Sequence, residues 1–402
     1  MKILLYSFFS GGGIGRYTHC LLTSLAQQSG VSVELACNPE FKHLGEASYA
    51  TWPKLMPVSS RVPVIRRARF VAAQWVNPGR LLKRAAETSA DIVHFSNINH
   101  LSYRFWRGSR ERAIRHMSAT VHDVRRLKAI ISRSWEDRWL KQFYRDCDAL
   151  FTHSQAQKAE IIAFAAIDED RIHVVPHGIY EYDTPVADVK SLRQKYDIPC
   201  DRTVALFFGF IRDDKQLDTL LEAVRQSASR PFLVIAGQIS SRSKKTEARY
   251  RQAITDLGLS DDVLFAPGFV EDSAVGELFT LADYVCLTYL PEFTSQSGVL
   301  HVAAHFACPV LATPTPTVAE TVRGDQLGVV AGGFEARDVA RAIDLIANHR
   351  RDEFRAAHEA YVKRATWESN AITTARVFRE LLADPPSTDT DVFLATGATD
   401  TG

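Results

Sequence analysis

The chain lacks any ordered arrangement of cysteines and any apolar run long enough to span a bilayer. Its six cysteines are scattered over 402 residues, with no Cys-x-x-Cys pair and no Cys/His ligand spacing. This excludes a disulfide-rich secreted scaffold and argues against a zinc site. The longest apolar stretch, residues 299–313, is interrupted by His301 and His305 and is too short to cross a membrane. Residues 3–9 are apolar but lead directly into glycines, so we expect no signal peptide.

Charge is nearly balanced overall but unevenly distributed. The formal net charge is +1, yet residues 1–185 hold 25 Lys/Arg against 17 Asp/Glu, and the remainder holds 23 against 30. A basic first half and an acidic second half predict that the first half meets an anionic partner.

The chain is long enough for two domains. Apolar strand patterns alternate with helical patterns in both halves, which predicts an α/β fold with two doubly wound parallel sheets facing a cleft. We place the first domain at residues 1–185 and the second at 200–366, joined by a polar, proline-containing linker. A last helix is expected at 367–383. The tail at 384–402 is rich in Thr, Asp, Pro and Gly, so we expect it to be disordered.

The segment from Asp283 to Val322 is the most informative part of the chain. An apolar strand pattern (284–290) is followed by a Ser/Thr/Gly loop, an apolar helix from about Ser297 and a second strand pattern (309–312). The loop would lie at the helix N-terminus, where free backbone N–H groups and the helix dipole favour a phosphate or diphosphate. Open α/β sheets bind ligands at this edge.

A glycine-rich loop, SGGGIGRYT (residues 10–18), follows the first strand pattern and opens a helix. Its glycines allow a ligand to approach the backbone closely. A dinucleotide fingerprint needs Gly-x-Gly-x-x-Gly, and Arg16 stands in place of the last glycine if Gly11 is the first. Because Glu34 could serve as a ribose-binding acid, a dehydrogenase stays open as a weak alternative. A tight turn without a ligand is the other alternative.

Two further motifs carry candidate side chains. His122, in the sequence VHD, follows a strand pattern predicted at 119–122 and could donate a hydrogen bond to a sugar hydroxyl or phosphate oxygen; a purely structural histidine is the alternative. Arg212 and Lys215 lie in the turn after the strand pattern at 204–208. Two cations there could neutralise a diphosphate, although a solvated charged turn explains them about equally well.

Basic and apolar residues are interleaved between Arg61 and Arg84, including Arg66, Arg67 and Trp75. This mixture suits an anionic membrane surface or an amphiphilic anionic acceptor. An ordinary surface helix with a charged face is the alternative. The stretch offers few aromatic platforms for bases, so we expect no nucleic-acid partner.

In this order, these motifs resemble the retaining glycosyltransferases of family 4, which have the GT-B fold. The resemblance runs from Met1 to about Leu382. It implies transfer of a sugar from a nucleotide diphosphate sugar, GDP- or UDP-linked, to an acceptor hydroxyl without a metal or other cofactor. It also implies that the first domain holds the acceptor, that the second holds the donor, and that the last helix crosses back to the first domain.

Several positions match the family's motifs. Gly13 and Gly15 resemble the loop that approaches the diphosphate, His122 the histidine near the transferred sugar, and Lys215 the phosphate-binding lysine. Arg212 substitutes for an arginine that the family carries where this chain has Phe210. The diphosphate loop at the helix start corresponds to Ser297, Gly298 and Val299, and the base-reading loop to Gly268, Phe269 and Val270.

One departure concerns a pair of glutamates with seven residues between them, which contact the donor sugar and the ribose in the family. The corresponding positions here are Thr294 and Val302. Glu292, two residues away, is the candidate for the sugar contact, and Gln296 or Glu320 for the ribose contact.

The resemblance implies a role in bacterial polysaccharide or glycolipid assembly, with a lipid-linked or other anionic acceptor. We therefore expect a cytoplasmic protein that can contact the inner face of the cell membrane. A GT-B nucleotide-sugar epimerase or hydrolase, and a non-catalytic nucleotide-sugar-binding protein, are the alternatives.

Overall fold

Two parallel sheets organise the chain, each covered by helices. The structure, a computed structural model, describes residues 1–98, 100–126, 129–241 and 243–383. The expected disordered tail, residues 384–402, lies outside the described residues. No helix within them is long and apolar enough to cross a membrane.

The first sheet has seven strands in the order β3-β2-β1-β4-β5-β6-β7, all paired in parallel. Its strands are β1 (Lys2–Tyr6), β2 (Ser32–Ala36), β3 (Ala50–Trp52), β4 (Ile92–Phe95), β5 (His116–Thr120), β6 (Ala149–Thr152) and β7 (Ile172–Val174). The helices between them are α1 (Gly12–Ala26), α2 (Pro63–Thr88), α3 (Tyr103–Ala113), α4 (Arg133–Asp146) and α5 (Gln155–Ala165).

The second sheet has six parallel strands in the order β10-β9-β8-β11-β12-β13. After α6 (Val189–Lys195), they are β8 (Val204–Phe208), β9 (Phe232–Gly237), β10 (Val263–Pro267), β11 (Tyr284–Leu287), β12 (Val310–Ala312) and β13 (Gly328–Val330). The remaining helices are α7 (Leu217–Gln226), α8 (Glu247–Asp256), α9 (Asp272–Leu281), α10 (Gly298–His305), α11 (Pro316–Gly324), α12 (Ala336–Ala347), α13 (Arg355–Arg364) and α14 (Trp367–Ala383).

The central strands are buried on both faces, which explains their continuous apolar runs. In β1, Leu4 and Tyr6 belong to one apolar cluster and Ile3 and Leu5 to the cluster on the opposite face. The second sheet is likewise enclosed by two clusters. The predicted α/β class with two doubly wound sheets is confirmed.

Three strand predictions need correction. The strand predicted at 119–122 is β5 at His116–Thr120. The sequence pattern missed the start of β5 because two polar residues, His116 and Ser118, are buried within the strand. The Ser118 hydroxyl lies 2.9 Å from His94 Nδ1. The strand patterns at 2–9 and 284–290 end early, at Tyr6 and Leu287. β3 and β13, which are edge strands with no fully buried residue, were not predicted.

Both sheets have a topological switch point, where the strand order changes direction. β1 lies between β2 and β4, and β8 lies between β9 and β11. Loops that leave the carboxyl ends of such neighbouring strands run in opposite directions and leave a crevice between them. The glycine-rich loop follows β1, the Arg212–Lys215 turn follows β8 and the Ser297 loop follows β11. The fold thus places these three motifs at strand ends suited to ligands.

The connection after β7 and the start of α14 are packed together. Trp367 Nε1 donates to the carbonyl of Ile179 at 2.8 Å, and Asn370 Nδ2 donates to that of Pro176 at 2.7 Å. Farther along, α14 packs against α1 of the first domain. Gly178 lies directly against the Trp367 ring, so that a Cβ built there would be 2.1 Å from the ring.

We predict that Gly178→Ala lowers stability, because the indole or the backbone must move to admit the methyl group. Overpacking of this kind costs about 1–3 kcal/mol. Gly79→Ala is the matched control, since Gly79 is exposed in α2 with no atom within 4 Å of its Cβ position. It should be neutral or stabilising by about 0.5–1 kcal/mol. Urea denaturation midpoints measure both; equal midpoints for the two variants would contradict the packing argument.

Candidate functional site

Lys215 forms the centre of the candidate donor site. It ends a short 3-10 turn (Asp213–Lys215), its side chain is buried, and Nζ donates to the carbonyl of Phe208 at 2.9 Å. Burial, reinforced by the nearby Arg212 guanidinium, lowers the pKa of Lys215 to about 7. A buried ammonium with so few partners gains most from a nearby anion.

Gly209 allows this close arrangement. Its φ of +88° favours glycine. A Cβ built there would lie 3.3 Å from Lys215 Nζ and 3.6 Å from a methyl of Val299. The turn after β8 therefore directly adjoins the first turn of α10.

No side chain of the described residues caps the first turn of α10. Ser297 is at the N-cap position and buried, but its hydroxyl lies 2.7 Å from the Tyr289 hydroxyl instead of bonding to the helix amides. The Tyr289 ring in turn stacks on Phe293 at 3.9 Å between centroids. The amides at the start of α10, beside Lys215, are therefore suited to an anion. Gly298 is exposed at this point.

Arg212 lies at the edge of the donor site. Its guanidinium forms an ion pair with Asp214 at 2.9 Å, and its side chain is 43% exposed. The structure thus brings Arg212 and Lys215 into one turn, as predicted, but shows Arg212 already paired with its neighbour. An incoming diphosphate would compete with Asp214 for it.

His122 lies two residues beyond β5, across the cleft. Its ring packs edge-on against Tyr17 at 4.6 Å, and its buried Nε2 has no hydrogen-bond partner among the described residues. Desolvation lowers the pKa of His122 to about 3, so the imidazole is neutral at pH 7. A neutral ring with a free nitrogen can exchange a hydrogen bond with a sugar hydroxyl.

Three more histidines continue from His122 towards the other domain. His153 lies 5.8 Å from His122 between ring centroids, His177 lies 5.0 Å from His153, and His301 of α10 stacks on His177 at 4.0 Å. Burial lowers the pKa of each. Sequence inspection missed this group because its members are far apart in the chain.

The glycine-rich loop opens α1. The helix starts at Gly12, so Gly13 and Gly15 lie in its first turn, and the first turn contains no acidic residue. A Cβ at Gly13 would meet nothing within 4 Å, so that face of the turn is open. Glu34 is engaged elsewhere, since both of its carboxylate oxygens accept from Arg84, at 2.6 and 2.9 Å. Because Glu34 is paired with Arg84, it is not available to bind a ribose, and the dehydrogenase alternative loses the residue that supported it.

The candidate base-binding loop follows β10. Gly268 has a φ of +156°, and its N–H donates to the Gly237 carbonyl at 3.2 Å. Phe269 is exposed, while Val270 packs partly against the second domain's core. The ammonium of Lys42, from the first domain, lies 5.7 Å from the centre of the Phe269 ring. The loop therefore faces the first domain across the cleft.

The three candidates for the missing glutamate contacts differ in their surroundings. Glu292 is exposed and forms no hydrogen bond or ion pair within the described residues. Gln296 lies against the first domain, with Nε2 3.4 Å from the His153 carbonyl. Both carboxylate oxygens of Glu320 accept from the first backbone N–H groups of α5, at 2.9 and 2.8 Å. Glu320 thus caps a helix of the opposite domain and is not free for a ribose.

Two contacting residues were overlooked in the sequence. Asp123, next to His122, accepts a hydrogen bond from Ser295 in the loop after β11. Arg16, in the first helix, donates to the Tyr182 hydroxyl and lies 4.2 Å from that ring's centre. Both lie in motifs already singled out, VHD and SGGGIGRYT, but only the fold shows that Asp123 contacts the second domain and that Arg16 contacts the segment after β7.

This geometry, two parallel α/β domains whose strand-end loops meet, is that of the GT-B fold. Solved structures agree. A glycosyltransferase from Rickettsia africae ESF-5 superposes with a TM-score of 0.74 at 18% identity, covering 96% of this chain and 99% of that one. Anabaena HepE in complex with UDP-glucose gives a TM-score of 0.70 at 20% identity, covering 95% and 99%.

Family models identify the chain more closely. The model Glycosyltransferase Family 4 matches residues 11–181, and Glycosyl transferases group 1 matches residues 188–365. The chain belongs to glycosyltransferase family 4, as its motifs predicted. It is 27% identical over 248 residues to a D-inositol 3-phosphate glycosyltransferase of Acidothermus cellulolyticus. That match covers 59% of this chain and only 54% of the relative.

The roles of the individual site residues stay predictions, but the domain contact can be tested. Glu320→Ala should expose the N-terminus of α5, because it removes two hydrogen bonds and a favourable charge at the positive end of a helix dipole. We expect faster hydrogen exchange at Gln155 and Ala156 and a loss of about 1–2 kcal/mol in local stability. Glu222→Ala, which removes an exposed i,i+3 pair with Arg225, is the control. Unchanged exchange in Glu320→Ala would contradict the contact.

Proposed function

We propose that this chain transfers a sugar from a GDP- or UDP-linked donor to an acceptor hydroxyl, with retention at the anomeric carbon and without a metal ion. The acceptor would be lipid-linked or otherwise anionic, in polysaccharide or glycolipid assembly. Family membership and the binding of UDP-glucose by the structurally similar HepE support the donor class.

The observation that carries the proposal is the buried Lys215 ammonium beside the uncapped start of α10. A fixed cation and free helix amides at one switch point form a site for a diphosphate. They would act on the leaving group, whose negative charge grows as the glycosidic bond breaks. Removing one such preorganised contact typically costs about 10²–10³-fold in rate.

The first domain would supply the acceptor side. The neutral His122 can exchange a hydrogen bond with a sugar or acceptor hydroxyl through its unpartnered Nε2. Retention would follow from attack on the face that the leaving group departs from, with a diphosphate oxygen taking the acceptor proton. Glu292 is our candidate for the donor-sugar contact; being exposed, it would need the loop after β11 to move inward.

Lys215→Ala should reduce turnover by at least about 100-fold and weaken nucleoside diphosphate binding, because the diphosphate loses its buried cation. Lys244→Ala is the control, since Lys244 is exposed in the same domain and should leave both properties unchanged. Thermal shifts with UDP, GDP, ADP and CMP identify the base, and turnover is then measured with the matching nucleotide sugars. Full activity in Lys215→Ala would refute the phosphate role.

The same assays separate the alternatives. Anomeric NMR of the product establishes retention, and unchanged turnover with EDTA establishes metal independence. Catalytic release of free sugar or an epimer from the donor alone would favour a hydrolase or epimerase. If no nucleotide shifts the thermal midpoint, neither the transferase nor the hydrolase or epimerase is favoured. That result would also contradict the proposed donor site.

The acceptor-side proposal rests on the surface of α2. Its N-terminal turns project into solvent with Val64 74% exposed and Ile65 45% exposed, alongside the exposed Arg66 and Arg67. Farther along, the exposed Trp75 ring packs against exposed Phe105 of α3, with 4.4 Å between ring centroids and the planes tilted by 43°. Mixed basic and apolar exposure of this kind suits the headgroup region of an anionic membrane.

Three of the basic residues between Arg61 and Arg84 instead form hydrogen bonds or an ion pair within the protein. Arg69 donates to the Ser59 carbonyl and Arg80 to that of Lys54, while Arg84 is paired with Glu34. The membrane-facing charge would therefore come from the start of α2.

Reversing both charges, with Arg66→Glu and Arg67→Glu, should weaken binding to phosphatidylglycerol vesicles by at least about tenfold, because each basic residue near an anionic surface contributes about 1 kcal/mol. Arg337→Glu with Arg341→Glu is the matched control, an exposed arginine pair on α12 of the second domain. Vesicle cosedimentation measures both. Equal losses in the two double variants, or no binding by the parent protein, would contradict a membrane role for α2.

A further inference from the structure

Three potential metal ligands meet on the first domain, outside the residues assigned to the donor. His19 projects from α1, while His43 and Glu46 belong to the connection between β2 and β3, at its short 3-10 turn (Leu44–Glu46). His43 Nδ1 lies 2.9 Å from Glu46 Oε2, and His19 Nε2 lies 3.8 Å from the same oxygen. All three ligand atoms lie within 4.8 Å of one another.

These separations suit one tetrahedral cation. Zinc binds imidazole nitrogen and carboxylate oxygen at about 2.0–2.2 Å, which places neighbouring ligands of a tetrahedral site roughly 3.3 Å apart. The two distances to the Glu46 oxygen lie on either side of that value. The His19 and His43 rings are already held side by side, 4.8 Å apart and nearly parallel. Small side-chain rotations would complete the arrangement.

A further residue orients the deepest ligand. The Tyr49 hydroxyl lies 3.1 Å from His19 Nδ1. When Nδ1–H donates to the phenol oxygen, the lone pair of Nε2 is free to face the cation. Histidine ligands of metals are oriented in this way by a partner on the other ring nitrogen.

We propose that His19, His43 and Glu46 bind one zinc-like divalent cation, with water as the remaining ligand. Two imidazoles and one carboxylate are borderline ligands of the kind that zinc takes at three-ligand sites. The sequence argued against zinc because it shows no Cys/His spacing. This set uses no cysteine, and its members come together only through the fold.

The cation would join α1 to the β2–β3 connection. That connection also carries Lys42, whose backbone N–H donates to the Ser10 carbonyl at 2.8 Å and whose side chain packs against Gly11. A bound metal would therefore hold the glycine-rich loop and the Lys42 segment in one arrangement at the rim of the cleft. It would stabilise this part of the first domain and take no part in sugar transfer.

A histidine–glutamate hydrogen bond without metal is the competing explanation, and the chain contains a matched example. His349 Nδ1 lies 2.8 Å from Glu353 Oε2, nearly the distance found for His43 and Glu46. The described residues offer no further histidine, cysteine or carboxylate within ligand distance of that pair. The His349–Glu353 pair therefore provides an internal control for zinc binding by surface residues.

The test is zinc binding to metal-stripped protein, measured by competition with a chromogenic chelator. We expect one site per chain, weakened at least about tenfold in His43→Ala and in Glu46→Gln and unchanged in the double control variant His349→Ala, Glu353→Gln. Zinc should also raise the thermal midpoint of the parent protein and of the control but not of Glu46→Gln. Equal zinc affinity in all variants, or no stoichiometric site in the parent, would overturn the proposal.

Discussion

The Lys215 ammonium is buried and, among the described residues, donates one hydrogen bond, to the Phe208 carbonyl, at the strand end where the second sheet changes direction. A charge in that position is costly: desolvation lowers the pKa of Lys215 to about 7. Because the folded value lies below the unfolded one, the buried charge opposes folding fully below about pH 7, and this penalty disappears as the pH rises towards the unfolded value. An anion bound beside the ammonium would offset this cost, which explains why a lysine is buried here.

The rest of the cleft depends on how that position is enclosed. Gly209 lets the turn after β8 approach α10, and the Ser297 hydroxyl bonds to Tyr289, leaving the helix amides uncapped. Contacts between the domains then close the cleft: Glu320 of the second domain caps α5 of the first, and Asp123 of the first accepts from Ser295 of the second. The domains also meet where the His177 ring stacks on His301 and where the Lys42 ammonium approaches the Phe269 ring.

Much of the fold and the outline of the site could be predicted from the sequence. Buried parallel strands leave continuous apolar runs, so the α/β class and the loops at Gly13, Lys215 and Ser297 were visible. β5 was misplaced because buried His116 and Ser118 break its apolar pattern. Likewise, the histidines from His122 to His301 and the pair of His19 with His43 are assembled by packing between distant segments, which local patterns cannot show.

The most direct test of the account is the titration of Lys215 itself, followed by NMR of protein labelled with ¹³C at the lysine ε-carbon and assigned with Lys215→Arg. The account predicts a midpoint near pH 7 in the free protein. Saturation with the nucleoside diphosphate that binds should shift the midpoint upward by about two units or more, because the diphosphate stabilises the ammonium. An ordinary lysine midpoint in the free protein, or a lowered midpoint that the nucleotide leaves unchanged, would contradict the central claim that Lys215 holds the diphosphate.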